Sequence, residues 1–193
     1  MTIPNIQGEW RGDPYPHVTH IGPLPPMLSL ALLQWMETQA PWNPRIASFY
    51  EQWEVHIDRT LLPPQLTAVI DPDFVADLES IMFTPLTCEK LALTELTAHK
   101  LVAGQTIRIH NDYLESGESH RLVIQFNRGW EDNQGGMLML FASASADDVR
   151  RVLRPFHGSA FAFPISPQSF HAVSTIWSGE RYSLVYSFRS GSR

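Results

Sequence analysis

A chain of 193 residues is long enough for one domain with a full core and too short for two. Its apolar content of 44% is ordinary for a globular protein, and the absence of any unbroken apolar run of ~18 residues excludes a membrane-spanning helix. A net charge of −6 argues against nucleic-acid binding through a broad basic surface, and the single cysteine, Cys88, excludes an internal disulfide and suits a reducing, cytoplasmic setting.

The opening stretch, MTIPNIQGEWRGDPYP, has neither a basic start nor an apolar segment, so no secretory signal is expected. Up to residue 25 the chain is rich in Pro and Gly and reads as an extended arm or cover. Met27–Ala40 has helical character, with Leu28, Leu32, Trp35 and Met36 near one face, and Pro25 and Pro26 where a helix start tolerates proline. Phe49–Ile57 alternates aromatic and polar residues, as a strand would. A second helix is expected from Asp71 as N-cap and Pro72 at the first helical position, followed by the stripe Phe74, Val75, Leu78, Ile81 and Met82.

From residue 91 the texture changes to short β-rich segments. Strands are expected at Leu91–Leu101, Gln105–His110, His120–Phe126, Gly136–Phe141, Ser159–Phe163, His171–Ile176 and Tyr182–Phe188. Breaks fall at Gly104, Asn127–Gly129, Gly135–Gly136, Gly158, Pro164, Pro167 and Gly179. Ser145–Leu153 reads as a helical turn, with Ser145 and Asp148 spaced as a capping box. The pattern predicts a single α+β domain over residues 1–193. Residues 1–90 would be helical support and cover, and residues 91–193 a double-sheet barrel or a jelly-roll core (double-stranded β-helix). Charge is uneven: of the 14 Lys and Arg, only Arg11, Arg45, Arg59 and Lys90 precede residue 91.

The chemistry concentrates in that second half. His110 and Asp112 are two residues apart, so on an extended segment their side chains, with that of Arg108, point to one face. His171 opens a later strand and is expected to reach the same point from the opposite sheet. Two histidines and a carboxylate suit Fe(II), with Zn or Mn as alternatives, and leave open coordination positions. Arg181, ten residues past His171, is a fixed cation suited to clamping a small dicarboxylate, and Ser183 shares its face on a strand. His-x-Asp alone is a common surface pair, and His171 alone is a common structural histidine; the joint pattern carries the weight.

That joint pattern resembles the 2-oxoglutarate/Fe(II)-dependent dioxygenase superfamily, particularly its prolyl-4-hydroxylase-like branch, over about residues 93–188. The resemblance rests on Gly104 ahead of His110-Asn-Asp112, on Gly135-Gly136-Met-Leu138 opening a strand, on Phe161–Pro164 leading to His171, and on Arg181-Tyr-Ser183. It implies that His110, Asp112 and His171 bind iron and that Arg181, assisted by Ser183, binds the far carboxylate of 2-oxoglutarate. It further implies O2 as oxidant, succinate and CO2 as co-products, and ascorbate as a candidate reductant. One departure stands out: the tyrosine that relatives carry before the glycine turn is missing from His99-Lys100-Leu101-Val102-Ala103. Gln125 is the candidate replacement, with Lys100 behind it. Because Asp112 is present, C–H hydroxylation is favoured over halogenation.

Of the other residues, His17, His20, His56, His99, His120 and His157 are expected to be structural or exposed. Arg108 and Arg121 are expected in surface ion pairs ahead of substrate contacts, and Trp130 is a candidate for the pocket mouth. The sequence therefore points to a hydroxylase acting on an amino acid, a peptide or a small natural-product intermediate, with neither nucleic acid nor membrane as partner. Oligomeric state is not legible. The competing readings are a non-catalytic cupin-like metal- or ligand-binding module, and the same oxidant used for desaturation, cyclisation or epoxidation.

Overall fold

In the computed structural model, which describes residues 8–115 and 117–191, the strands fall into two facing antiparallel sheets, a jelly-roll core braced by helices. In chain order the elements are β1 (Glu9–Arg11), β2 (His17–Ile21), α1 (Pro26–Thr38), β3 (Asn43–Ile46), β4 (Glu51–His56), α2 (Pro72–Phe83) and β5 (Leu91–Val102). They continue with β6 (Ile107–His110), β7 (His120–Phe126), β8 (Leu138–Phe141), β9 (Val149–Leu153), β10 (Ser159–Pro164), β11 (His171–Val173) and β12 (Glu180–Ser190). The larger sheet has the order β1-β2-β10-β7-β12-β5-β4-β3, and the smaller one β6-β11-β8-β9.

The period-2 pattern of the central strands explains the layering. On β12, Tyr182, Leu184, Tyr186 and Phe188 join a core shared with the helices, whereas Arg181, Ser183, Val185 and Ser187 face the space between the sheets. Strand β7 repeats this, with Leu122, Ile124 and Phe126 toward the helices and Arg121, Val123 and Gln125 toward the interior. Helix α1 covers the apolar face with Leu28, Leu32, Leu33, Trp35 and Met36, and α2 with Phe74, Val75, Leu78, Met82 and Phe83. Each such side chain removed from water contributes roughly 1.5–3 kcal/mol before chain entropy is counted. Asp71 caps α2 by accepting a hydrogen bond from the Asp73 N–H at 3.1 Å, with Pro72 at the first helical position. The Tyr186 hydroxyl donates to the Val69 carbonyl at 3.0 Å, tying the sheet to the segment before α2.

Three expectations need correction. The early Pro/Gly-rich stretch is more than an arm: β1 and β2 extend the larger sheet, with Thr19 opposite Phe161 of β10. They satisfy backbone groups that β10 would otherwise leave as an open edge. The first 90 residues thus supply four strands besides the helices. The helical turn predicted over Ser145–Leu153 shrinks to a 3₁₀ turn at Ala146–Asp148, because Val149–Leu153 pairs with β8 as an edge strand. Ser145 Oγ accepts from the Asp147 N–H at 3.4 Å, but Asp148 pairs with Arg150 at 2.8 Å instead of closing a capping box. Strand β11 also ends earlier than expected, at Val173.

Candidate metal centre

His110 is the last residue of β6 and lies directly opposite His171, the first residue of β11, with ring centroids 4.2 Å apart. The second histidine therefore arrives on the neighbouring strand of the same sheet, not from the opposite sheet. Asp112 lies beyond the strand, at φ +58°, a left-handed conformation that Asp tolerates better than most residues. Strand parity does not aim its carboxylate; this backbone reversal does. Asn111 anchors the reversal, donating from Nδ2 to the Pro167 carbonyl and accepting the Tyr113 N–H, each at 3.1 Å. Ser169 Oγ donates to the Asn111 carbonyl at 3.1 Å, joining this turn to the approach to His171. His110 Nε2 lies 3.4 Å from Asp112 Oδ1 and His171 Nε2 lies 3.2 Å from Oδ2, with candidate ligand atoms of all three residues within 4.8 Å of one another.

The protonation pattern suits a cation. His110 Nδ1 faces the Arg108 carbonyl at 2.8 Å and His171 Nδ1 faces the Ser169 carbonyl at 2.9 Å. A carbonyl only accepts, so both Nδ1 atoms carry hydrogen. Burial pushes the His171 pKa down, keeping that ring neutral with its Nε2 lone pair turned toward Asp112. Burial works against ionisation of Asp112, but Arg121, with Nη1 2.6 Å from Oδ2, leads the groups that hold its carboxyl well below the usual range. A lone pair thus faces a carboxylate oxygen with no donor between them, an arrangement that a divalent metal satisfies.

A cleft of about 320 Å³ runs from this cluster between the sheets. Across four adjacent strands its wall carries a polar row, because Gln125 pairs with Ser183, Ser183 with His99, and His99 with Glu54. Beside the row sits Arg181, 4% exposed, with no hydrogen-bonding or ion-pair partner among the described residues. Burial lowers its pKa to about 10, so it remains a cation at neutral pH. Gly136, at φ +68°, makes room for it: an added Cβ would come within 3.0 Å of Arg181 Cδ and 2.7 Å of Ile176 Cδ1. Ser183 and Gln125 are 3% and 4% exposed, and Gln125 Oε1 has no partner. The structure thus brings Arg181, Ser183 and Gln125 into one cleft with His110, Asp112 and His171.

Other residues fall elsewhere. Arg108 turns outward to donate to the Ser48 carbonyl. Lys100 lies on the opposite face of β5 from His99, 5.3 Å from the Trp42 and Trp53 ring centroids and 3.8 Å from Glu180, so it is no substitute for the missing tyrosine. Trp130 is buried rather than at the cleft mouth, donating to the Gly135 carbonyl at 2.9 Å. Sequence reasoning missed His99 and Glu54, whose signal was the polar alternation Glu95, Thr97, His99 on β5 and Gln52, Glu54 on β4. Burial pushes the His99 pKa down to about 4. It also missed Phe49, which stacks on His110 at 4.4 Å. Arg121, expected at the surface, lies against the candidate ligand cluster, 2.6 Å from Asp112.

Residues 96–189 match the family model described as the 2OG-Fe(II) oxygenase superfamily. No curated protein sequence matches the chain. Among solved structures, a prolyl-4-hydroxylase from Pseudomonas putida shares 22% identity at a TM-score of 0.70, over 91% of this chain and 92% of that one. A prolyl hydroxylase from Trichoplax adhaerens, solved with a hypoxia-inducible-factor peptide fragment, aligns at a TM-score of 0.72 and 14% identity, over 90% and 83%. The viral collagen prolyl hydroxylase of Paramecium Bursaria Chlorella virus-1, in complex with 2OG, aligns at 0.65 and 13%, over 91% and 96%.

Proposed function

We propose, from the match of residues 96–189 to the 2OG-Fe(II) oxygenase superfamily model, that the chain is a member of that superfamily and hydroxylates a C–H bond of an amino acid, a peptide or a small natural-product intermediate. Fe(II) would be held by His110, Asp112 and His171, and 2-oxoglutarate by Arg181 with Ser183 and Gln125 at its side. The bound iron and keto acid supply the oxidation: O2 and 2-oxoglutarate are consumed, succinate and CO2 leave, and a substrate C–H becomes C–OH.

The protein's own residues position and shield. Main-chain carbonyls fix both imidazoles with Nε2 turned inward, which orients the candidate ligand atoms. Arg181, itself buried, gives a far carboxylate a charge-assisted contact. His99, held neutral, adds no charge to compete with that clamp. No separate general acid or base is needed.

The observation that carries this reading is the unpartnered buried guanidinium of Arg181 in the same cleft as the histidine–carboxylate cluster. It counts against the cupin-like binding module, since a bare metal site has no use for a buried anion clamp. A peptide substrate takes support from the Trichoplax structure, whose ligand is a peptide, and a small molecule from the modest volume of the cleft, about 320 Å³. Ascorbate as iron reductant, a cytoplasmic setting, and no nucleic-acid or membrane partner complete the proposal; among the described residues no helix is long and apolar enough to cross a membrane. The test is succinate release after oxygen exposure of anaerobically iron-loaded protein, with and without amino acids and short peptides. Iron-dependent release that rises with one pool supports the proposal. Absence of both turnover and 2-oxoglutarate binding in a folded, iron-loaded sample favours the binding module.

A further inference from the structure

Arg121 is a charged residue with no assigned task, and it points into the structure rather than away from it. It stands on β7 opposite Ser187, on the polar inner face of the larger sheet, while the metal cluster hangs from the smaller sheet. Its guanidinium bridges the gap: Nη1 lies 2.6 Å from Asp112 Oδ2, and Nη2 donates to Glu118 Oε2 at 2.5 Å. Both carboxylates raise the Arg121 pKa against the effect of burial. Glu118 thus holds the arginine from behind while the arginine holds Asp112 from the front.

A carboxylate offers a metal one oxygen or two. With two, it fills a position that a chelating co-substrate or oxygen would otherwise use. We propose that Arg121 is a positioning residue that occupies one oxygen of Asp112, so that the carboxylate ligates through the other alone. The proposal rests on the assignment of Asp112 as a ligand. The same cation also weakens the site's attraction for metal, because like charges repel across a short, partly desolvated gap. The chain thereby gives up some metal affinity and keeps coordination positions free.

The experiment uses Co(II), a redox-stable probe, on the full-length protein and on Arg121→Gln, Arg121→Lys and Glu118→Gln, with thermal melts to confirm that each is folded. Co(II) affinity, the Co(II) absorption spectrum and 2-oxoglutarate affinity of the Co(II)-loaded protein are read without turnover. For Arg121→Gln, which removes a like charge beside the metal position, the expected result is Co(II) binding about tenfold tighter, a changed visible spectrum and at least tenfold weaker 2-oxoglutarate binding. Arg121→Lys restores part of the parent spectrum, and Glu118→Gln shifts it in the direction of Arg121→Gln. The proposal is overturned if spectrum and 2-oxoglutarate affinity stay within twofold of the parent. It is equally overturned if Arg121→Gln binds Co(II) more weakly, for then the arginine assembles the ligands rather than limiting one of them. A parent protein that takes up no Co(II) overturns both this inference and the oxygenase reading beneath it, an outcome distinct from the other two.

Discussion

His110 and His171 face each other across the ladder of the smaller sheet, and each is steered by a main-chain carbonyl two residues earlier in its own strand or approach, those of Arg108 and Ser169. The pair is therefore preset with both Nε2 atoms turned inward, and Asp112 supplies the only carboxylate in that cluster. Asp112→Ala is expected to abolish iron-dependent oxidation and to reduce metal uptake below detection in a calorimetric titration. Parent-like metal uptake by this variant would place the cation elsewhere.

Arg181→Ala should act on the co-substrate and not on the metal. Losing a bidentate charge-assisted contact of about 3–4 kcal/mol raises the 2-oxoglutarate requirement by roughly 10²–10³-fold. The check is a titration of 2-oxoglutarate against the metal-loaded variant, with metal affinity measured alongside. Unchanged co-substrate affinity would remove Arg181 from the clamp.

Gly136 is irreplaceable for two reasons: its φ of +68° and its contact with the stem of Arg181. Gly136→Ala should cost about 1–3 kcal/mol in stability from the backbone alone. It should also weaken 2-oxoglutarate binding by displacing Arg181. Urea unfolding and a co-substrate titration separate the two effects, and a neutral result in both would mean that the loop relaxes freely.

His99 carries a pH signature. Burial lowers its pKa from the ordinary 6.5 to about 4, so between those values the unfolded chain binds a proton that the folded protein refuses. Stability from this group is therefore complete above pH 6.5 and declines as pH falls toward 4. His17, His120, His157 and His171 are shifted in the same sense, so the contribution of His99 is isolated by comparison. His99→Gln should lose less stability between pH 7 and pH 5 than the parent does in denaturant titrations at each pH. Identical slopes would show that His99 is not held neutral.

Asn127 supports the clamp from outside the cleft. Its Nδ2 donates to the Pro155 carbonyl at 2.7 Å and its Oδ1 accepts the Tyr182 N–H at 2.9 Å, next to Arg181. Asn127→Ala leaves a buried donor and a buried acceptor unmet, and should cost about 2–3 kcal/mol, read from the denaturation midpoint.

Much of this was legible because β12 is central and buried on both faces. Arg181 and Ser183 alternate with Tyr182, Leu184 and Tyr186, and that period alone separates cleft from core. The same signal on β5 and β7 was weaker, since Val123 sits between Arg121 and Gln125 on the inner face and disguises it as apolar. The pairing of His110 with Asp112 was visible as a spacing, but its geometry was not. The left-handed turn at Asp112 depends on Asn111 reaching Pro167, a contact 56 residues away along the chain. Strand β2 was illegible for a related reason: as a short segment near the sheet edge, its conformation comes from the unpaired groups of β10.

The unpartnered charge of Arg181 has a consequence for the protein's persistence. A buried cation without a counter-ion raises the free energy of the folded state, and an anion that contacts it relieves the cost. A ligand that binds only the native form stabilises it by about 2.7 kcal/mol when present at a hundredfold excess over its dissociation constant. An anion that binds only the folded form therefore protects the protein from unfolding, and the protection grows with the logarithm of its concentration.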